Sequence, residues 1–150
     1  ISWDDYQNVI TVNLFGAIWL TQAVLPVMKK QKYGRIVQVA SIAGKEGNPK
    51  MAPYNTAKAG LIGFVKGVAK EVATDGITIN SVSPSTVITK LFFENDDNYK
   101  KYLGRSAADE LARREVASPK GLVTVEEVAR VVSFLANDAS GSINGEVIGI

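Results

Sequence analysis

Residues 34–41 read Gly34-Arg35-Ile36-Val37-Gln38-Val39-Ala40-Ser41, and residues 77–82 read Ile77-Thr78-Ile79-Asn80-Ser81-Val82. Both contain short β-branched runs, so 36–40 and 77–82 are expected to be buried strands. Between them, Ser41 to Pro49 holds two Gly, one Asn and one Pro, the composition of a loop. A helix is predicted over about 53–74, with Pro53 suited to its first turn and Asp75-Gly76 ending it. Strands separated by helices of this length, here and further along the chain, imply right-handed crossovers and a parallel sheet. The fold class is therefore α/β.

The reading extends outward in both directions. Upstream, Ser2 and Asp5 resemble a weak capping box with an acidic first turn. Val9, Val12, Gly16, Leu20, Ala23 and Val27 then recur at spacings of three and four, which predicts a helix to about Lys30, closed by Gly34. Downstream, Pro84 stops the second strand, and Thr86 to Gly121 is irregular and polar-aromatic, as expected for short helices and loops. Thr124 and Glu127 form a T-x-x-E capping box opening a helix to about Ala136, and 146–150 reads as a last strand. No internal repeat or low-complexity linker interrupts this order. Ligands of open parallel sheets bind at the carboxyl ends of the strands. Here those ends are Ser41 and Pro84 to Thr89.

Composition narrows the chemistry. The 150 residues are about the size of one domain. Hydrophobic residues make up 46% and charged residues 21%, a globular mix that can form a core. A net charge of +2 with scattered Lys and Arg argues against nucleic acid. No apolar run approaches the roughly 20 residues that span a bilayer, so no membrane partner is expected. The acidic, amphipathic start Ile1-Ser2-Trp3-Asp4-Asp5 is unlike a signal peptide. Cysteine and histidine are absent, which excludes disulfides, thiolate chemistry and His-based metal sites or triads. A general acid or base must be Asp, Glu, Lys or Tyr. The chain begins with Ile1 and ends inside the apolar run Val147-Ile148-Gly149-Ile150, so both ends are expected to have been cut from something longer.

Tyr54 and Lys58 are four apart and share one face of the predicted 53–74 helix. A phenol ordinarily titrates near 10, and a cation held beside it favours the phenolate. Ser41, at the end of the preceding strand, can face the same cleft. Taken alone, Y-x-x-x-K is more often a solvated pair, a helix-interior Asn such as Asn13 more often bonds to backbone, and Ser41 reads as a loop starter. Their joint order reverses those odds.

That order resembles the short-chain dehydrogenase/reductase family. The matching segments are Val12-Asn13-Leu14, Gly34-Arg35-Ile36-Val37, Ala40-Ser41, Tyr54-Asn55-Thr56-Ala57-Lys58-Ala59, Ile79-Asn80-Ser81-Val82, Thr124 to Ala129 and Ile143-Asn144-Gly145. They cover nearly the whole chain. The resemblance implies the C-terminal half of a Rossmann-type doubly wound parallel sheet, about three strands with flanking helices. It also implies a cytoplasmic enzyme using NAD or NADP on a small carbonyl or alcohol substrate. By resemblance, Tyr54 is the general acid in reduction and the base in oxidation. Lys58 would favour its phenolate and bind the nicotinamide ribose hydroxyls. Ser41 would polarise the substrate carbonyl, and Asn13 would hold a water in a proton relay to Lys58. Pro84-Ser85-Thr86-Val87-Ile88-Thr89 resembles the family's P-G-x-V-x-T segment, so Pro84, the Val87 backbone and the Thr89 hydroxyl would grip the nicotinamide carboxamide. Ser85 departs from the usual Gly, and an ordinary strand-ending turn is the competing reading.

The resemblance has further consequences. Helices 4–31 and 53–74 would pack against a second subunit in a homodimer or homotetramer, with Phe15, Trp19, Leu61, Phe64 and Val68 either in that face or in the chain's own core. Apart from the resemblance, the length and aromatic content of the excursion make Leu91-Phe92-Phe93 through Tyr99, Tyr102 and Leu103 the expected substrate lid. Arg105, Arg113 and Arg114 would meet an anionic substrate or, more often for such a run, lie on a solvated helix face. The family's G-x-x-x-G-x-G phosphate loop and its N-N-A-G segment do not occur, and Gly60-Leu61-Ile62-Gly63 lies inside a helix. Residues 1–150 are therefore expected to be a partial domain, the catalytic and substrate-binding half, with an apolar sheet edge open beside 36–40 and little activity alone. The alternatives are an inactive fragment or subunit-interaction module, or an epimerase or lyase on the same scaffold. The substrate segment Ser41 to Pro49 resembles both 3-oxoacyl reductases and sugar or polyol dehydrogenases and does not choose between them.

Overall fold

The computed structural model describes residues 1–117 and 122–150. α1 (Trp3–Ile10), a π-helical segment (Thr11–Phe15) and α2 (Gly16–Gln31) run as one helix of 29 residues. Ser2 caps it, its Oγ accepting from the Asp5 amide at 3.1 Å. Lys32, in the left-handed region at φ 55°, ends it, where Gly34 was the expected stop. Gly34 instead opens β1 (Gly34–Val39). A Cβ there would sit 2.5 Å from Met28 Sδ, so the strand starts hard against the helix that precedes it.

The segment expected to be a loop contains one helical turn, α3 (Ala43–Glu46), before α4 (Ala52–Glu71). β2 (Ile77–Ser83) follows, then α5 (Lys90–Glu94), α6 (Asp96–Leu103) and α7 (Ala107–Ala117). These are the short helices expected after Thr86; residues 118–121 of that stretch lie outside the described residues. α8 (Val125–Ala136) carries the expected capping box, with Glu127 N donating to Thr124 Oγ1 at 3.2 Å and Thr124 N to Glu127 Oε2 at 2.9 Å. A 3₁₀ turn (Asp138–Ser140) leads to β3 (Val147–Gly149).

The sheet is parallel in the order β1-β2-β3, with Ile36 opposite Ile79 and Ser81 opposite Val147. All seven residues of the central β2 are buried. Ile77 and Ile79 pack under Val65, Val68, Ala69 and Val72, joined by Ile36 and by Leu25 and Met28 of α2. Full burial of each large side chain stabilises the fold by about 1.5–3 kcal/mol. Arg35 points to the other face and meets Asp138 at 3.7 Å, just beyond α8. α8 itself packs on β1 and β2. Helices therefore flank both faces.

This arrangement corrects one expectation. The chain steps in one direction across the sheet, β1 to β2 to β3, while α4 and α8 cover opposite faces. The two connections thus have opposite hands, and only one is right-handed. The rule arises from a strand feeding directly into a helix that packs back on the sheet. The β2–β3 connection detours through α5, α6 and α7 first, which removes that coupling.

Two asparagines fasten β2 to the turn before β3. Asn80 donates to Ile143 O at 2.8 Å and accepts from Glu146 N at 2.9 Å. Asn144 accepts from Ile79 N at 3.0 Å and donates to Ala69 O at 2.8 Å, tying sheet, turn and α4 together. β1 is an edge strand, and Val39 at its end is 51% exposed, as expected for an open edge. Leu61 and Val68 belong to the chain's own core, whereas Phe15 and Trp19 are exposed. By length and mean hydropathy, Trp3–Gln31 is long and apolar enough to cross a membrane, although it holds no uninterrupted apolar run of that length. Scattered polar residues such as Asn13 and Gln22 break the run without lowering the average enough.

Candidate active site

The carboxyl ends of β1 and β2 are joined by hydrogen bonds from Ala40 N to Val82 O at 2.8 Å and from Ile42 N to Pro84 O at 3.1 Å. Ser41 stands at this junction. Its Oγ accepts from Ala43 N at 3.2 Å, a local turn that leaves the hydroxyl proton available to donate.

Two contacts hold this turn against α4 at the level of Lys58. Lys58 Nζ donates to Val39 O at 2.9 Å, two residues before Ser41. Gly44, three residues after Ser41, lies so close to α4 that a Cβ there would stand 2.6 Å from Lys58 C and 2.8 Å from Ala59 N. Ser41 is thereby bracketed on both sides by the segment carrying Lys58. Tyr54 is one turn earlier on α4, and Lys58 Nζ lies 5.6 Å from the centre of its ring. Burial pushes the Lys58 ammonium below its ordinary value. The Val39 carbonyl points away from β2, because Ala40 N donates to Val82 O and successive residues alternate direction. Lys58 therefore satisfies an edge carbonyl that the sheet leaves open.

Asn13 sits in the π-helical segment, a widened turn of the kind found at functional sites. Its Nδ2 donates back to Val9 O at 3.1 Å, and no hydrogen bond among the described residues joins it to Lys58. That bond is the backbone pairing weighed as its alternative role. The long helix is held to α4 on either side of Asn13, since Tyr6 Oη of α1 and Thr56 Oγ1 lie 3.0 Å apart and Leu14 of the π-helical segment packs on Gly60.

Pro84 is buried, and the backbone beyond it forms a parallel bridge, Val87 opposite Val123. Ile88 N donates to Val123 O at 3.2 Å and Val123 N to Thr86 O at 3.0 Å. The amide and carbonyl of Val87 itself point the other way, and no backbone hydrogen bond uses them among the described residues. Thr89 is the N-cap of α5, yet its hydroxyl makes no capping bond. Ser85 is not in the left-handed region, so a side chain in place of Gly brings no backbone strain.

The three arginines are neither scattered nor simply solvated. All converge on Glu110, whose side chain is 2% exposed. Arg113 grips it through Nε at 3.1 Å and Nη2 at 2.8 Å, Arg114 through Nε at 2.7 Å, and Arg105 Nη1 lies at 3.5 Å. Hydrogen bonding to Arg113, against the cost of burial and aided by Arg114, holds the Glu110 carboxyl down to about 2. Arg114 also donates to Thr86 Oγ1 at 3.1 Å, which couples α7 to the 84–89 segment. Phe92 is buried against Tyr99 at 5.0 Å, while Leu91, Phe93 and Tyr102 are exposed. Glu110 and Gly44 escaped the sequence reading. Arginines three and four residues after Glu110 signalled an ion-pair cluster; nothing in the sequence signalled the close approach at Gly44.

The family profile described as Enoyl-(Acyl carrier protein) reductase matches residues 1–150. A 3-oxoacyl-[acyl-carrier-protein] reductase from Synechocystis sp. is 40% identical over 149 residues, 98% of this chain and 55% of the relative. A 2-dehydro-3-deoxy-L-rhamnonate dehydrogenase (NAD(+)) from Sphingomonas sp. is 38% identical over 135 residues, 90% of this chain and 50% of the relative. The crystal structure of an actinorhodin polyketide ketoreductase variant with NADPH superposes with a TM-score of 0.92 at 29% identity, over 100% of this chain and 59% of that one. The chain thus spans about half the length of the curated relatives it matches. In sequence over its whole length and in fold, the chain belongs to the short-chain dehydrogenase/reductase family.

Proposed function

We propose that residues 1–150 carry the catalytic end of an NAD- or NADP-dependent oxidoreductase that interconverts a ketone and a secondary alcohol. The observation that carries this reading is the clamp of the Ser41 turn between Val39 and Gly44 onto the Lys58 level of α4, with Tyr54 one turn away. The similarity to a 3-oxoacyl reductase, a dehydrogenase and a polyketide ketoreductase supports it.

The polar groups at the strand ends suit the nicotinamide end of such a cofactor. Val87 offers one unspent backbone donor and one acceptor, the pair a carboxamide needs, and the Thr89 hydroxyl is beside it in sequence. Lys58 spends one of three N–H donors on Val39 O, which leaves two for ribose hydroxyls. When bound, the nicotinamide supplies or accepts the hydride. Ser41 donates its hydroxyl proton in a hydrogen bond to the substrate oxygen and polarises it. Tyr54 gives its proton to that oxygen in reduction and takes it back in oxidation, and the Lys58 charge favours the phenolate left behind. Asn13, its amide nitrogen bonded to Val9, would join a proton relay through Oδ1.

The chain is also proposed to assemble as a homodimer or homotetramer through the 4–31 and 53–74 helices. Phe15 and Trp19, with ring centres 6.1 Å apart, are 43% and 58% exposed on that surface. The Leu91 to Leu103 segment is proposed as the substrate lid.

The test is Tyr54→Phe in a protein joining residues 1–150 to a phosphate-binding half. Turnover is expected to vanish while cofactor affinity stays within about twofold, because the phenol makes its main contribution in the transition state. A normal kcat would refute the acid-base role.

A further inference from the structure

The loop before α4 and the start of α7 enclose a cleft of about 250 Å³ that the proposed reaction does not yet use. Pro49, Met51 and Leu103 supply apolar wall, and Arg105, Arg113 and Arg114 line the remainder with Glu110. Among the described lining residues, three guanidinium groups face one carboxylate, an excess of two positive charges. That carboxylate is buried and stays ionised at neutral pH.

The donors are only partly spent. An arginine has five N–H donors in a planar fork. Arg113 uses Nε and Nη2 on Glu110, and its side chain is still 56% exposed. Arg105 approaches Glu110 only through Nη1 at 3.5 Å and is 40% exposed. Glu110 therefore acts as a fixed counter-charge that orients guanidinium groups whose outer edges reach the cleft. Met51 is the N-cap of α4, and Tyr54 lies three residues along the helix, a rise of about 4.5 Å. The cleft thus begins one helical turn from the proposed acid.

We propose that this cleft is an anion subsite, in which Arg105 and Arg113 bind the carboxylate of a small oxo or hydroxy acid whose carbon skeleton lies along Pro49, Met51 and Leu103. This rests on the oxidoreductase reading for what happens to the bound acid, but not for the binding itself. A planar guanidinium edge matches a carboxylate in two parallel hydrogen bonds, and the small volume suits a short free acid. A phosphate borne on a carrier arm would meet the same charges, so the two sources must be separated by experiment.

The probes are 3-oxobutanoate, its methyl ester and phosphopantetheine, titrated into the 150-residue chain while arginine side-chain N–H resonances are followed by NMR. The acid is expected to bind at least about tenfold tighter than the ester, with Arg105 and Arg113 signals moving, since charge-assisted pairs reach that size. Arg105→Gln should erase most of this preference and Arg105→Lys should keep part of it. Because Arg105 makes only one long contact to Glu110, neither change removes the core of the cluster. Equal affinity for acid and ester, no binding of the acid, or a preference retained in Arg105→Gln would each overturn the proposal. Tighter binding of phosphopantetheine than of 3-oxobutanoate would overturn its assignment to a free acid. Discriminating binding without reduction by NADH or NADPH, in a protein joined to a phosphate-binding half, would sink the oxidoreductase reading and leave the subsite standing.

Discussion

Gly44→Ala tests the clamp on which the proposed site depends. The added methyl would stand 2.6 Å from Lys58 C, 2.8 Å from Ala59 N and 2.9 Å from Lys58 O, where ordinary contact begins at 3.4 Å. All three atoms are helix backbone, so no side chain can swing aside. α3 must instead withdraw from α4 by about 0.8 Å, and the Ser41 turn, bonded to Ala43, withdraws with it. Overpacking of this kind costs about 1–3 kcal/mol, and a misplacement near 1 Å can lower a rate about 100-fold. Urea titration should show the loss in the midpoint with an unchanged slope. In a protein joined to a phosphate-binding half, kcat should drop about 100-fold while cofactor affinity barely moves. Gly67→Ala is the control, because a Cβ there meets nothing within 4 Å. In mid-helix it should stabilise the chain by about 0.5–1 kcal/mol. If the two variants shift the midpoint in the same direction, or Gly44→Ala keeps full turnover, the clamp does not position Ser41.

Three further outcomes follow from other contacts. The Glu110 carboxyl, held at about 2 against an ordinary 4.5, contributes stability that is complete above pH 4.5 and lost as pH falls toward 2. Screening at the exposed Arg113 reduces this to about 1–3 kcal/mol, and urea midpoints measured across that window should flatten in Glu110→Gln. Asn144→Ala strands Ile79 N and Ala69 O and should cost about 2–3 kcal/mol by thermal or urea unfolding; a cost near zero would mean the turn before β3 is not held by that side chain. Calorimetric titration of the 150-residue chain with NADH and NADPH should find affinity weaker than micromolar, because its residues include no phosphate loop.

The parts legible in the sequence are those whose signal is local and periodic. The 36–40 and 77–82 runs announced β1 and β2 through their β-branched residues, but only β2 is buried throughout, because β1 lies at the sheet edge with Val39 exposed. Thr124 and Glu127 announced α8 because each satisfies the other's orphan amide. Order and spacing singled out Ser41, Tyr54 and Lys58, and the structure sets the turn that carries Ser41 against the Lys58 level of α4. The turn α3 was not legible, because four residues carry no helical period and Gly44 reads as loop punctuation. The burial of Glu110 was hidden by composition, since Asp109-Glu110-Leu111-Ala112-Arg113-Arg114 has the look of a solvated face. Handedness was not legible at all, because hydrophobic period records which face is buried and not which way the chain crosses.

Asn13 shows why position and pairing must be separated. Its side chain is bonded within its own helix, so an isolated helix would hold it as well as this fold does. What the fold adds is the π-helical segment around it and the packing of Leu14 on Gly60, two residues beyond Lys58. The widened turn sets the backbone of Thr11–Phe15 against the helix that carries Tyr54 and Lys58. A relay role would therefore depend on where that backbone runs at least as much as on the asparagine amide. Asn13→Ala removes the amide and spares the turn, whereas Gly60→Val fills the contact 3.0 Å from Leu14 and pushes the whole segment away. If the backbone governs, Gly60→Val should slow turnover at least about tenfold more than Asn13→Ala in the joined protein, by the same misplacement argument that applies at Gly44. The reverse ranking would assign the relay to the side chain.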